Sequence, residues 1–186
     1  MMSDPDRQRL LLLARGAIVA HVTDAPVPAD DESTGVMATR AGAFVTIHNH
    51  GELRGCIGHV EPDEALGRLI PRMAVAACSS DPRFPGVDAR ELSNIDLEIS
   101  VLGPLEAIAS PEEFEIGRHG LVVEFEWHRG LLLPQVATEW NWDRETFLAH
   151  TCQKAGLPRD AWRRGAKLFR FEAEVFGEHD QQRPGC

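Results

Sequence analysis

The chain has 186 residues, 43% of them hydrophobic and 26% charged, a globular mixture long enough to bury a core. Its formal net charge of −10 argues against a general nucleic-acid binder, because phosphate binding needs a basic face. Its four cysteines, Cys56, Cys78, Cys152 and Cys186, form no CxxC pair, which speaks against a zinc framework. The apolar run at residues 10–13 is too short to span a bilayer and lacks the cleavage region of a signal peptide. Together these features predict a cytoplasmic protein with reduced thiols.

In chain order, Ser3 and Asp6 open a first helix, and Leu10, Leu13, Ala14, Ala17 and Ile18 give it an apolar stripe that runs out near residues 21–24. Residues 26–39, rich in Pro, Asp, Ser and Gly, read as weakly structured, as do the first few residues and the tail after Gly177. Residues 43–47 and 53–60 form a hairpin around the turn Asn49-His50-Gly51. Pro62 suits the first turn of a second helix, with Asp63 and Glu64 favourable at its positive end; Pro71 should kink or split it. Residues 81–85, Asp-Pro-Arg-Phe-Pro, make a rigid loop. Ile95, Leu97, Ile99 and Val101 then alternate with polar residues as a half-buried strand.

The second half repeats this order. Residues 121–127 and 129–133 form a hairpin, Asp143 caps a helix closed by Gly156 and Pro158, and residues 169–175 alternate as a last strand. The repetition reaches individual residues: Arg54-Gly55 answers Arg129-Gly130, and Glu98 answers Glu172. This gives two partly duplicated hairpin–helix–strand units with an extra N-terminal helix. Features common to both units are best assigned to folding. Cys56, Gly58 and His59 occur in one unit alone, where Leu131, Leu133 and Pro134 replace them, and are the better functional candidates.

The run Leu53-Arg54-Gly55-Cys56-Ile57-Gly58 resembles the signature of the AMMECR family. Matching segments at 42–46, 81–85, 97–101, 120–124, 130–136, 154–158 and 171–176 extend the resemblance over roughly residues 9–177. It implies a single domain of α+β fold with two unequal lobes, about 1–108 and 109–178, and a tail at 179–186. It implies no settled activity. Bacterial and archaeal members are named with a Memo-type, dioxygenase-like protein and a radical S-adenosylmethionine enzyme, which are therefore the implied partners. Neither the residues nor the resemblance assigns a cofactor or a metal.

Cys56 is the candidate nucleophile, with Arg54 expected on the same strand face; the alternative is a small buried hydrophobe. His48 and His50 share a face if the strand runs that far, which would permit a metal pair or an acid–base partner, but water-exposed turn histidines are the simpler reading. His119, opening the second hairpin, is the candidate distant partner of Cys56. Glu98 is either a general base whose pKa burial raises or, like its counterpart Glu172, part of a solvated sheet face or a structural ion pair. Arg83 can meet an anionic ligand and Gln135 a ligand amide or carbonyl, although a structural arginine and a backbone-capping glutamine account for both equally. Gly55 and Gly58 should be needed for backbone or packing reasons beside the ligand. Core filling is the default for the four tryptophans. Two functions compete: a small-molecule site around Cys56, with or without catalysis, and a non-catalytic module that docks on a Memo-like protein.

Overall fold

The computed structural model describes residues 2–26 and 34–179. Residues 27–33 and the tail from 180, with Cys186, lie outside the described residues. The chain is a mixed helix-and-strand fold whose strand pairs are antiparallel. It divides into two compact units, the first running to Leu102 and resuming at Glu174, the second spanning Gly103–Ala173.

In the first unit, helix α1 covers Asp4–Thr23. The Ser3 hydroxyl caps it by accepting from the Asp6 N–H, and Asp24, at φ 53°, closes it. Strands β1 (Ala43–Asn49) and β2 (Glu52–His59) form the expected hairpin. His50 and Gly51 take φ of 52° and 82°, the left-handed pair that a two-residue loop needs to match strand twist. Helix α2 covers Leu66–Ser79 and strand β3 Ile95–Leu102, giving the local order β2-β1-β3. Ala43, Val45 and Ile47 of β1 and Leu97, Ile99 and Val101 of β3 share a core with Leu10 and Ile18 of α1 and Leu69 and Ile70 of α2. The sheet is thus apolar on its helix face, while the alternate residues Phe44, Thr46, Glu98 and Ser100 stand on the other.

Helix α2 begins four residues later than expected. A bridge between Arg40 and Ala65 holds Ala65 extended, at φ −73° and ψ 142°, and the Leu66 N–H donates to the Thr39 carbonyl. Pro71 does not split the helix. The helical bond that Pro71 cannot donate is the one to the carbonyl of Gly67, whose backbone adjusts readily.

The second unit holds β4 (Glu106–Ile108), β5 (His119–Phe125), β6 (His128–Leu132), α3 (Pro134–Glu139), α4 (Arg144–Lys154) and most of β7 (Lys167–Gly177). Its local order is β6-β5-β7, with β4 also on β7. Phe114, Leu121, Val123, Phe147 and Cys152 fill its core. Asp143 caps α4 by accepting from the Thr146 N–H at 2.8 Å, and Gly156, at φ 73°, comes just after its end. Two elements differ from expectation. Gln135 sits in the first turn of α3 instead of at a strand end, because Pro134 at the first helical position redirects the chain. Trp127 lies in the β5–β6 turn instead of in a strand, beside Glu126 at φ 53°.

Candidate functional site

Packing demands the two glycines that flank Cys56 on β2. A Cβ on Gly55 would lie 2.2 Å from the Ala77 carbonyl oxygen, so the α2 backbone rests directly on the strand. A Cβ on Gly58 would lie 2.2 Å from the Phe44 ring. The register between β1 and β2 shifts so that Ile47 faces Gly55 and His48 faces Leu53, which leaves Arg54 as a bulged residue. Its guanidinium reaches loop 81–91: Nε and Nη2 hold the Glu91 carboxylate at 2.8 and 2.9 Å, and Nη1 and Nη2 donate to the Pro85 and Gly86 carbonyls at 2.8 and 3.2 Å. This hydrogen bonding keeps the Glu91 carboxyl below its usual range.

A second strap joins that loop to the motif. Asp81 is buried, and its Oδ2 accepts the Cys56 N–H at 2.9 Å and Arg83 Nη2 at 2.7 Å, while Oδ1 accepts Arg83 Nε at 3.0 Å. The Arg83 guanidinium first, and the Cys56 and Arg83 N–H groups after it, hold the Asp81 carboxyl far below the usual carboxylate range, against burial. Arg83 is raised in turn, chiefly by its hydrogen bonds to Asp81.

The thiol faces the sheet surface opposite the core. Thr46 Oγ1 donates to Cys56 Sγ at 3.3 Å. Thr46, on the central strand, pairs with Cys56 on one side and with Glu98 on the other. Cys56, Thr46 and Glu98 therefore form one row across three strands. The next row is Gly58, Phe44 and Ser100. Ser100 is 1% exposed, and its Oγ has no hydrogen-bond partner. One step the other way, His48 pairs with Asp96, which His179 meets at 2.6 Å. His50 is in the turn, and His59 holds the exposed Asp63 at 2.8 Å.

The structure thus brings Cys56 and Glu98 to one face, with Arg83 joined to the Cys56 backbone through Asp81 and Arg54, Gly55 and Gly58 fixing the strand. His119 and Gln135 belong to the second unit. His119 is 5% exposed; its Nδ1 accepts the Glu115 N–H at 2.9 Å, which leaves the proton of the neutral ring on Nε2, 3.9 Å from Glu172. Gln135 Oε1 is buried without a partner. Sequence reasoning missed Thr46 and Asp81. The alternation of Phe44, Thr46 and His48 with core residues marked a second face, but only the register shows that Thr46 lies between a thiol and a carboxylate.

Cys78 and Cys152 behave as packing residues, both buried, and burial pushes the Cys78 thiol up to about 11. Among the described residues no group of three or more His, Cys, Asp or Glu side chains is placed to hold a metal. A cleft of about 270 Å³ in the second unit, between Glu145, Arg159, Trp162 and Arg163, contains none of the sequence-predicted residues. No helix among the described residues is long and apolar enough to cross a membrane.

The family profile AMMECR1 matches residues 11–176. A protein of Methanothermobacter thermautotrophicus is 43% identical over 185 residues, covering 95% of this chain and 96% of its own. A protein of Methanocaldococcus jannaschii is 46% identical over 152 residues, 77% of this chain and 76% of its own. The crystal structure of an uncharacterised protein from Pyrococcus horikoshii superposes with a TM-score of 0.88 at 39% identity, covering 95% of this chain and 93% of that one. The signature run, the profile match and this structural likeness agree, and the chain belongs to the AMMECR1 family.

Proposed function

We propose that the protein binds a small molecule on the polar face of the first unit's sheet and that the Cys56 thiol reacts with it there. The observation that carries this reading is a subtraction. Arg54 straps a loop, Gly55 admits a helix, Ile57 packs on the core and Gly58 admits a ring, so folding accounts for those positions of the motif. Folding does not require a thiol at position 56, where the Thr46 hydroxyl donates to the sulfur and Glu98 stands one strand further in the same row. In this reading Glu98 is the acid–base group and Arg83 tunes local charge. His119 and Gln135, the latter with an open acceptor, are proposed as polar candidates within the second unit itself. The repeated hairpin–helix–strand order supports an internal duplication in which one copy gained the thiol. Cysteines 56, 78 and 152, all outside disulfides, fit a reducing cytoplasm.

The test is thiol labelling of the native protein with iodoacetamide, read by peptide mass spectrometry, beside Cys56→Ser. Cys56 should label well ahead of Cys186, and the serine variant should lose thiol-dependent chemistry by about two orders of magnitude or more with its fold intact. Labelling no faster than at Cys186, and only on unfolding, would return Cys56 to a packing role.

A second reading has its own observation. Trp127 is 82% exposed and Trp140 68%, unlike the core filling expected of them. Exposed tryptophans of this kind anchor protein partners, and a Memo-like protein or a radical S-adenosylmethionine enzyme is the proposed occupant. Trp127→Ala with Trp140→Ala would abolish such binding while Cys56 labelling persisted.

A further inference from the structure

We propose that the cleft beside α4 in the second unit binds a small monocarboxylate through Arg159. The site shares no residue with the Cys56 row, so it stands or falls apart from the Cys56 reading.

The cleft is built by the chain reversal at the end of α4. Gly156 takes φ 73°, and the Leu157 N–H donates to the Cys152 carbonyl at 2.9 Å, which turns the chain back. The short helical turn Ala161–Arg163 follows. Two side-chain clasps tie this returning segment to the helix. Near the start of α4, Arg163 Nη2 holds Glu145 Oε1 at 2.8 Å. Near its end, Arg159 Nη1 donates to Gln153 Oε1 at 3.1 Å. At 1.5 Å of rise per residue, Glu145 and Gln153 stand about 12 Å apart along the helix. The cleft of about 270 Å³ is lined by Glu145 and Arg163 of one clasp and Arg159 of the other. Thr146 and Ala149, three residues apart on one helix face, form one side, and Trp162 faces them.

The charges in the cleft select the ligand. Glu145 and Arg163 offset each other, and Asp160 is matched by Arg164 Nε at 2.9 Å. Arg159 bonds to a neutral amide, so the cleft keeps one positive charge in excess. A single bond from Nη1 leaves the guanidinium further donors, and its planar fork matches a carboxylate with two parallel hydrogen bonds. The walls beside it are apolar and fixed. Ala149 is buried, and Trp162 packs against the unit's core with the Arg163 guanidinium 4.5 Å from its ring centroid. The fitting ligand therefore carries one negative charge on an apolar body. A second negative charge would meet Glu145 and Asp160. The volume lies just below the usual range for drug-sized ligands, so the ligand is smaller than these.

The experiment titrates the isotope-labelled full chain with benzoate and follows the tryptophan indole N–H signals by NMR, with the Trp162 signal assigned through Trp162→Phe. The Trp162 signal should shift saturably, with Kd in the millimolar range expected of so small a ligand. Benzamide, of the same shape but uncharged, should bind at least about 10-fold more weakly, and so should benzoate to Arg159→Gln. Arg159→Lys should fall between, because it keeps the charge and loses the fork. Arg159 is exposed, so its variants should melt with the wild type. The comparison of benzoate with benzamide needs no variant and decides the matter should Arg159→Gln not fold. Equal binding of benzoate and benzamide, or of benzoate to wild type and Arg159→Gln, overturns the proposal. So does a Trp162 signal that benzoate leaves unmoved, or inorganic phosphate bound more tightly than benzoate.

Discussion

The two hairpins solve the same packing problem and then part company. In β1–β2, Gly55 lets α2 approach, and in β5–β6, Gly130 lets the end of α4 approach: a Cβ on Gly130 would lie 2.3 Å from the Ala155 nitrogen. The arginines before these glycines differ in what they hold. Arg54 reaches out to a loop, whereas Arg129 pairs at 3.0 Å with Glu124, its partner across the hairpin. One position further on stand Cys56 and Leu131. The glycine therefore belongs to the architecture, and the residue after it is free to specialise. In the second unit that position is an aliphatic side chain; in the first it is a thiol in a polar row.

The largest effect should come from the shared element. Gly55→Ala and Gly130→Ala each drive a methyl group into helix backbone, and each should cost about 3 kcal/mol, roughly 6–12 °C in Tm by calorimetry. Equal losses would uphold the likeness of the hairpins. A neutral Gly130→Ala beside a damaging Gly55→Ala would break it.

The next effect separates the hairpins by pH. Asp81 titrates lower in the folded chain than in the unfolded one, because Arg83 and two N–H groups favour its charged form. Its contribution is thus fully present above the unfolded value of about 4 and is lost as pH falls below it. All four tryptophans lie in the second unit. Protection of the β2 amides, taken relative to the intrinsic exchange rate at each pH, should accordingly fall on acidification before tryptophan emission changes. Asp81→Asn should destabilise the protein by about 2 kcal/mol at about pH 7, a value tempered by the exposure of Arg83, and should flatten that acid response. Simultaneous loss of both signals would mean that the two units share the weakness.

The smallest effect has the opposite sign. Ser100 and Glu174 sit at like places in the two similar strand sequences, and Glu174 is satisfied at 2.7 Å by Arg7, while the Ser100 hydroxyl has no partner. Ser100→Ala should raise Tm by about 2–4 °C, since it removes a buried, unpaired hydroxyl worth about 1 kcal/mol. A fall in Tm would mean that the hydroxyl is structurally bonded.

Much of the fold was legible because periodicity and turn chemistry are local. The stripe from Leu10 to Ile18 marked α1, His50-Gly51 marked the first turn, and alternation from Ile95 to Val101 marked β3. The start of α2 was not legible, since it depends on the bridge between Arg40 and Ala65, residues 25 apart. For the candidate site, Cys56 and Glu98 stood out by their neighbours, but their connection runs through Thr46, and only strand register supplies it. Arg54 and Arg83 read as ligand contacts because sequence cannot show that Glu91 and Asp81 already engage them.

The strapping of loop 81–91 also bears on how this protein avoids its own copies. Strand β2 ends the strand order, so among the described residues its outer backbone groups face no neighbouring strand. Such a border invites another chain to add a strand. Asp81 takes the Cys56 N–H, and Arg54 draws the Pro85 and Gly86 carbonyls toward the same strand. The loop thereby denies an incoming strand its first hydrogen bond, and the segment that steadies Cys56 doubles as a guard against edge-to-edge association.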